Sequence, residues 1–226
     1  MLWMMSMAAG IGYFVTIPWH PFPGSIALKG LAVSTLALVA WGSSLDSRSR
    51  FLLTSALALS SLGDILLDIN ASMFVFGLGA FLIAHLCYMQ LFLAQRRKGD
   101  RLGMIRLLLT IGLGIFAMGF SLWLLPTLNE LGLPVMLYIG VLSGMVFTAL
   151  AWRTNRTDRV VFGAFLFLIS DAVLGADKFR GPVPLRGWIV WATYYVAQLL
   201  LTFGVLRELG ADRPQSSSVQ YSSLPR

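Results

Sequence analysis

The chain is predicted to be all-α, a polytopic transmembrane helical bundle of about eight helices around a central polar cavity. Three observations predict it. Of 226 residues 57% are hydrophobic and only 12% charged, with a mean hydropathy of +0.77, outside the balance of a water-soluble domain. Apolar runs recur along nearly the whole chain at the length of about 20 residues that a helix needs to cross hydrocarbon. The 17 Lys and Arg residues fall mostly in the gaps between those runs.

In order, the expected spans are 2–17, 25–41, 51–67, 73–93, 107–125, 135–152, 160–174 and 188–206. The first has no basic segment ahead of it and no small-residue cleavage site before Pro18, so it is expected to be a retained helix rather than a signal peptide. It is short, and the second and seventh are also marginal, which leaves seven spans as the alternative to eight. The fourth span holds the lone cysteine, Cys87, so the chain can build neither an internal disulfide nor a thiolate metal cluster. Residues 1–208 are thus expected to be one transmembrane domain. Residues 209–226, rich in Ser, Gln and Pro, are expected to be a disordered cytoplasmic tail.

Eight spans put the loops 43–50, 95–106 and 153–159 on the same side as both termini. That side carries Arg48, Arg50, Arg96, Arg97, Lys98, Arg101, Arg106, Arg153, Arg156, Arg159, Arg207, Arg213 and Arg226. Only Lys29, Lys178, Arg180 and Arg186 fall on the other. The excess predicts both termini in the cytoplasm, and a bacterial cytoplasmic membrane fits a compact chain without organelle signals. The net charge of +7 then reports topology and attraction to anionic headgroups, with no nucleic-acid partner implied.

Two residues break the apolar pattern in a way that topology does not explain. Asp64 and Asp171 each lie a few residues before the end of a span, and a carboxylate inside hydrocarbon costs about 2.5–3.5 kcal/mol or more unless paired, protonated or wetted. Alternating helix direction places Asp64, Asp68 and Asp171 in the non-cytoplasmic leaflet with Lys29 and Tyr138. His85, Tyr88, Tyr194, Tyr195 and Gln198 fall nearer mid-membrane, as the floor of a cavity opening on that side. Ser61, Asp64 and Asp68 share one stripe of the third helix, as do His85 and Tyr88 on the fourth and Tyr194 and Gln198 on the eighth. Asp64 precedes Tyr88 by the same interval as Asp171 precedes Tyr195, with Gly63 and Ser170 ahead of each aspartate, a faint sign of duplicated halves.

Blander roles compete for most of the other residues. Lys29 either snorkels to the headgroups or serves as a counter-ion or phosphate ligand, and Asp68 at its span end suits a cap or interfacial position at least as well as a catalytic one. Asp177, Lys178, Arg180 and Arg186 are expected to be a solvated loop cluster, and His85 a packing histidine. Tyr13, Trp19, Trp188 and Trp191 look like interface-belt aromatics. Gly77, Gly112, Gly114, Gly140 and Gly144 are expected to serve close helix packing.

The runs Ser61-Leu62-Gly63-Asp64, Phe76-Gly77-Leu78-Gly79-Ala80-Phe81 leading to Ala84-His85-Leu86-Cys87-Tyr88, Gly163-Ala164 through Phe167 to Ser170-Asp171, and Tyr194-Tyr195-Val196-Ala197-Gln198 are similar to those of the YhhN-type family of integral membrane proteins. That family includes the vertebrate lysoplasmalogenases. The resemblance spans nearly the whole chain apart from the tail. It departs at Lys29-Gly30, where the family commonly has Lys-Pro, and only a local change of helix geometry is expected there. What the resemblance implies is a lysophospholipid substrate and hydrolysis of the vinyl ether bond of lysoplasmalogen, giving a fatty aldehyde and glycerophosphoethanolamine or glycerophosphocholine. It implies Asp64 and Asp171 as the catalytic acids and no cofactor.

The residues suit that chemistry independently. Vinyl ether cleavage begins with protonation of the carbon–carbon double bond and passes through an oxocarbenium ion captured by water, so it needs a proton donor and an anion. Two carboxyls in one low-dielectric pocket supply both, as in paired-carboxylate glycosidases. Lys29 would hold the phosphate or the ionised partner, with Ser61, Asp68, His85, Tyr88, Tyr138, Ser170, Tyr194, Tyr195 and Gln198 as candidate substrate contacts. A three-histidine zinc site is impossible with only His20 and His85, and a site from two aspartates with His85 is a minor alternative. A serine nucleophile at Ser61 or Ser170 lacks a histidine at matching depth. The competing classes are a proton-coupled transporter, whose interrupted helices are not evident here, and a lipid-binding membrane protein, which would leave the aspartates without a role.

Overall fold

The structure, a computed structural model, describes residues 1–22, 24–95, 103–152 and 158–211. Arg96, Arg97, Lys98, Arg101, Arg153, Arg156, Arg213 and Arg226, on which much of the expected topology rests, lie outside the described residues, as does the tail from residue 212 onward. Eight helices carry the described fold: α1 Leu2–Thr16, α2 Ser25–Trp41, α3 Ser47–Ile69, α4 Phe74–Ala94, α5 Met104–Leu124, α6 Gly132–Ala151, α7 Asp158–Phe179 and α8 Arg186–Ala211. No strand occurs among the described residues. Residues 209–211 therefore continue α8 rather than begin a tail.

Seven of these helices, α1 counted together with the turn Ile17–Trp19 that continues it, are long and apolar enough to cross a membrane, and the chain is an integral, multi-pass membrane protein. The one that falls short is α2, whose 17 residues span about 25 Å at helical rise. It nonetheless runs antiparallel beside α3, held there by the Ser61 hydroxyl donating to Gly30 O at 2.9 Å. The expected marginal span at 160–174 reaches full length because α7 continues through Asp177 and Lys178 to Phe179.

Polar residues mark the starts and stops. Asp46 caps α3, its Oδ1 accepting from Arg48 N and Ser49 N at 3.1 Å each. Asn70 caps the turn Ala71–Met73 in the same way, accepting from Ser72 N at 3.0 Å and Met73 N at 3.2 Å. In the last turn of α7, Asp177 accepts from Val183 N at 3.0 Å and faces Arg186 at 3.4 Å. Lys178 and Arg180 lie over the rings of Phe74 and Trp123, 4.9 and 5.0 Å from the centroids. Lys178, Arg180 and Arg186 are exposed, as a solvated cluster should be, and these contacts also tie the corner together.

Helices in lipid gain little from burying apolar surface against one another, so close approach and hydrogen bonding decide which pairs form. The two tightest hairpins show how. Between α3 and α4, a Cβ on Gly63 would stand 2.6 Å from Phe81, and one on Gly77 would stand 2.8 Å from Leu67 and 3.3 Å from Gly63 O. Between α7 and α8, Gly163 faces Leu200 and Ala197 O, and Gly204 faces Val160. Gly144 meets Met89, but Gly112, Gly114 and Gly140 face open space, so the expectation of packing glycines fails at those three.

Neighbour contacts run α1, α2, α3, α4, α6, α7, α8 and close through α8 against α1 and α2. The remaining helix, α5, packs mainly on α6 outside this circuit, with only Leu113 and Leu124 buried. Inside the circuit Phe81, Phe167 and Tyr194 meet edge to face, with centroids 5.2 to 6.1 Å apart. A polar cavity lies at the end where α3 and α7 finish and α2 and α8 begin.

A candidate active site shared by two aspartates

Asp64 comes from α3 and Asp171 from α7, helices that run the same way. The helices facing them, α4 and α8, run the other way. Side chains lean toward the N-terminus of their own helix, so residues on such opposed helices lean toward one another. Tyr194 on α8 thereby reaches Asp64, its hydroxyl donating to Oδ2 at 2.5 Å. His85 on α4 likewise comes within 3.5 Å of Asp171 through Nε2, which also lies 3.1 Å from the Tyr138 hydroxyl. Tyr138 of α6 donates a short hydrogen bond to Asp171 Oδ2. His85 was expected deeper; the lean of α4 side chains toward the cavity end brings it up.

Asp64 is 2% exposed and shares a cation with Asp68. Lys29 Nζ lies 2.9 Å from Asp68 Oδ1 and 3.7 Å from Asp64 Oδ1. His20 Nε2 stands 3.4 Å from the other Asp68 oxygen. Lys29 is thus a counter-ion to two carboxylates rather than a snorkelling residue, and Asp68 is an ion-pair partner rather than a cap. Its ammonium also lies 5.9 Å from the Tyr13 ring centroid.

Asp64, Asp68 and Asp171 all line one cavity of about 390 Å³, together with Lys29, Ser170 and Tyr194. The sequence did not mark Tyr13, His20, Arg186 or Trp191 as lining it, yet all four do. Tyr13 and Trp191 are buried rather than interfacial, and the Trp191 indole donates to Gly10 O at 2.9 Å. Trp191 was legible, since it stands three residues from Tyr194 on one helix face. Trp19, by contrast, is exposed in the manner of an interface residue.

Other candidate contacts lie elsewhere. Tyr195, about 100° around the helix from Tyr194, pairs with the Ser6 hydroxyl of α1 at 2.9 Å. Tyr88 donates to Gln198 Oε1 at 2.7 Å, a buried pair that does not line the cavity. The Ser61 hydroxyl is spent on Gly30 O and that of Ser170 on Val190 O at 3.0 Å, so neither is held by a histidine as a nucleophile would be. Tyr88 and Tyr195 therefore occupy different surroundings despite their matched spacing from the aspartates. What the two halves do share is a crossing: each aspartate is met by a polar residue from the last helix of the opposite half.

A second, apolar compartment borders the first. It is narrow, about 60 Å³, lies between α4, α5, α6 and α7, and includes Tyr138, Phe116 and Phe120. Leu67, Phe81, Asp171 and Leu174 line both, so Asp171 sits on the partition between a polar chamber and a greasy one. Among the described residues no group of three His, Cys, Asp or Glu side chains is arranged to hold a metal ion.

A family model described as the YhhN family matches residues 24–205. A protein of Mycobacterium bovis named lysoplasmalogenase is 30% identical, over 98% of this chain and 89% of its own length. Mouse lysoplasmalogenase TMEM86B is 32% identical over 90% of this chain and 85% of its own, and the human protein of that name is 35% identical over 80% and 74%. No solved structure matches.

Proposed function

Because the chain belongs to the YhhN family, and relatives from bacteria and mammals carry the name lysoplasmalogenase, we propose that this protein is a membrane lysoplasmalogenase working through Asp64 and Asp171. The observation that carries the proposal is the placement of both carboxyls on one polar cavity with an apolar compartment on the far side of Asp171. A lysoplasmalogen has the same division, because its vinyl ether joins a hydrocarbon chain to a glycerophosphate.

The chemistry balances with water alone. A carboxyl proton adds to the alkenyl carbon one removed from the ether carbon, and the ether carbon becomes an oxocarbenium ion. Water adds there, gives a proton back to a carboxylate, and the hemiacetal collapses to fatty aldehyde and a free glycerol hydroxyl. Asp171, beside the apolar compartment, is placed to protonate the chain-side carbon. Asp64, in the polar chamber beside Lys29, is placed to hold the water and balance the cation. Lys29 is enclosed between two carboxylates, whereas Arg186 on the cavity wall meets Asp177 at 3.4 Å with about half of its side chain exposed, and so suits the substrate phosphate better. Counted over the whole sequence, thirteen Lys and Arg on the side of the termini against Lys29, Lys178, Arg180 and Arg186 support cytoplasmic termini and a site reached from the other leaflet.

The test is aldehyde release from lysoplasmalogen by purified protein in detergent, with Asp64→Asn and Asp171→Asn alongside. Release from the parent and its loss in both variants is expected. Hydrolysis surviving both substitutions would overturn the mechanism. Proton-linked lipid uptake into liposomes without aldehyde would instead identify a carrier, although α3 and α7, which bear the aspartates, run without interruption.

A further inference from the structure

Beside the apolar compartment lies a larger open groove of about 570 Å³ between α5 and α7. The two share Phe116, Leu168 and Ala172 as walls, so the groove, the narrow compartment and Asp171 follow one another without an intervening helix. On α7 the groove extends from Ala176 to Phe165, eleven helical steps or about 16 Å. It leads away from Arg186 toward the middle of the membrane. We propose that this seam holds the hydrocarbon chain of the single-chain lipid substrate, entering sideways from the bilayer between α5 and α7, and that its small residues set the chain length accepted.

Three features single out this seam, and the proposal rests on the lysoplasmalogenase reading above for the identity of the substrate. First, α5 is the least enclosed helix, with two buried residues out of 21 and its main contacts on α6, so it is the wall best able to give way. Phe116 and Phe120, which narrow the inner compartment, both sit on it. Second, the seam is lined at its critical points by residues that leave room. A Cβ on Gly112 would meet nothing within 4 Å, and one on Gly175 would make only ordinary contact with Phe120 and Leu124 at 3.7 to 3.8 Å. Ala172 stands between the inner compartment and the groove. Such positions in membrane helices ordinarily serve close helix approach, and at Gly112 nothing approaches.

Third, the other apolar groove near the site is sealed. It lies between α1 and α8 and touches the polar cavity only at Trp191. There the indole is bonded to Gly10 O and stacked on Tyr195 at 5.5 Å, and a Cβ on Gly10 would strike the Tyr195 ring at 2.5 Å. A chain placed there would have to break that packing to bring its vinyl ether to Asp171. Through the α5–α7 seam a lysolipid keeps its natural posture, with the phosphate at the Arg186 end, the reactive bond beside Asp171 and the tail toward mid-membrane.

Full-length Gly112→Phe, Ala172→Phe and Gly175→Leu proteins, with Gly140→Phe as a control on open α6 surface, are to be assayed on 1-alkenyl lysophosphatidylethanolamines of short, medium and long chain. The seam variants are expected to lose about tenfold or more in kcat/KM for the longest chain relative to the shortest, and the control to keep the parental profile. In parallel, a non-hydrolysable ether lysophosphatidylethanolamine with a diazirine at its chain end is expected to label peptides of α5 and α7 under light. Label on α1 and α8, or an unaltered chain-length profile in a folded Gly112→Phe protein, would overturn the proposal. If the parent released no aldehyde from any chain length, the lysoplasmalogenase reading would fall while the labelling still decided where the chain lies.

Discussion

Asp64 and Asp171 are the same residue on helices of the same direction, and they line one cavity, yet their surroundings differ in kind. Asp64 stands in a charged cluster, within ion-pair distance of Lys29 and bonded by Tyr194. Asp171 is met by a phenol and an imidazole, and its far side is hydrocarbon. Residue type and depth therefore do not assign a role; the neighbours do. A pair with unlike neighbours can divide acid and anion duties between them.

The largest effects should come from breaking the pair itself. Asp64→Asn and Asp171→Asn are each expected to lower aldehyde release by about 10²–10⁴-fold. If the two carboxyls act as a unit, the double variant should be no slower than the slower single one. Multiplying effects in steady-state kinetics would mean that they serve separate steps or separate molecules.

The charged half of the comparison rests on Lys29. Lys29→Met leaves Asp64 and Asp68 facing each other without their cation, and breaking a buried ion pair on one side costs about 3–5 kcal/mol. On the other side, His85→Leu removes a hydrogen bond with the Tyr138 hydroxyl and a contact with Asp171, a loss of about 1–3 kcal/mol. Thermal unfolding in detergent should rank Lys29→Met clearly below His85→Leu. The reverse order would show that the charge cluster is wet and screened.

A finer cut removes one hydroxyl from each aspartate. Tyr194→Phe and Tyr138→Phe each delete a hydrogen bond to a carboxyl, worth about 1.5–3 kcal/mol, or roughly 10–100-fold if it matters in the transition state. Tyr138 also bonds His85 and walls the apolar compartment, so its loss should raise KM for the lipid as well as lower kcat. Tyr194→Phe should act on kcat alone. Equal KM values for both variants would erase the distinction drawn between the two environments.

How far the sequence carried this site depended on how local each signal was. Asp64 and Asp171 were visible because a carboxyl inside an apolar run is anomalous wherever it occurs. Lys29 and Asp68 needed only helix direction to be placed at one level. His20 and Arg186 were not visible, because charge in a loop is ordinary and only the fold brings α1 and α8 to the same wall. Tyr195 was misplaced for the opposite reason: it adjoins Tyr194 in sequence, and one helical step turns it to Ser6. The eight helices were legible, since hydrocarbon demands a long apolar run for each. That α5 stands outside the circuit was not, because lipid and protein interior ask for the same side chains.

A third aspartate marks the small end of the scale. Asp46 lies in the loop before α3, where its carboxylate caps the helix and touches no part of the cavity. Hydrogen bonds from Ser49, first its side chain and then its backbone amide, hold this carboxyl below its ordinary pKa. A carboxyl depressed on folding contributes stability above its unfolded value near pH 4, and the contribution is lost as the pH falls through its folded value. Asp46→Ala should therefore cost about 0.5–2 kcal/mol at neutral pH and progressively less in acid, with the rate of aldehyde release per folded molecule unchanged. Thermal unfolding of parent and variant at neutral pH and near pH 3 measures both. If Asp46→Ala instead slowed hydrolysis as the Asp64 and Asp171 variants are expected to, any carboxyl near these helices would matter to the reaction, and the cavity would lose its claim to be where it happens.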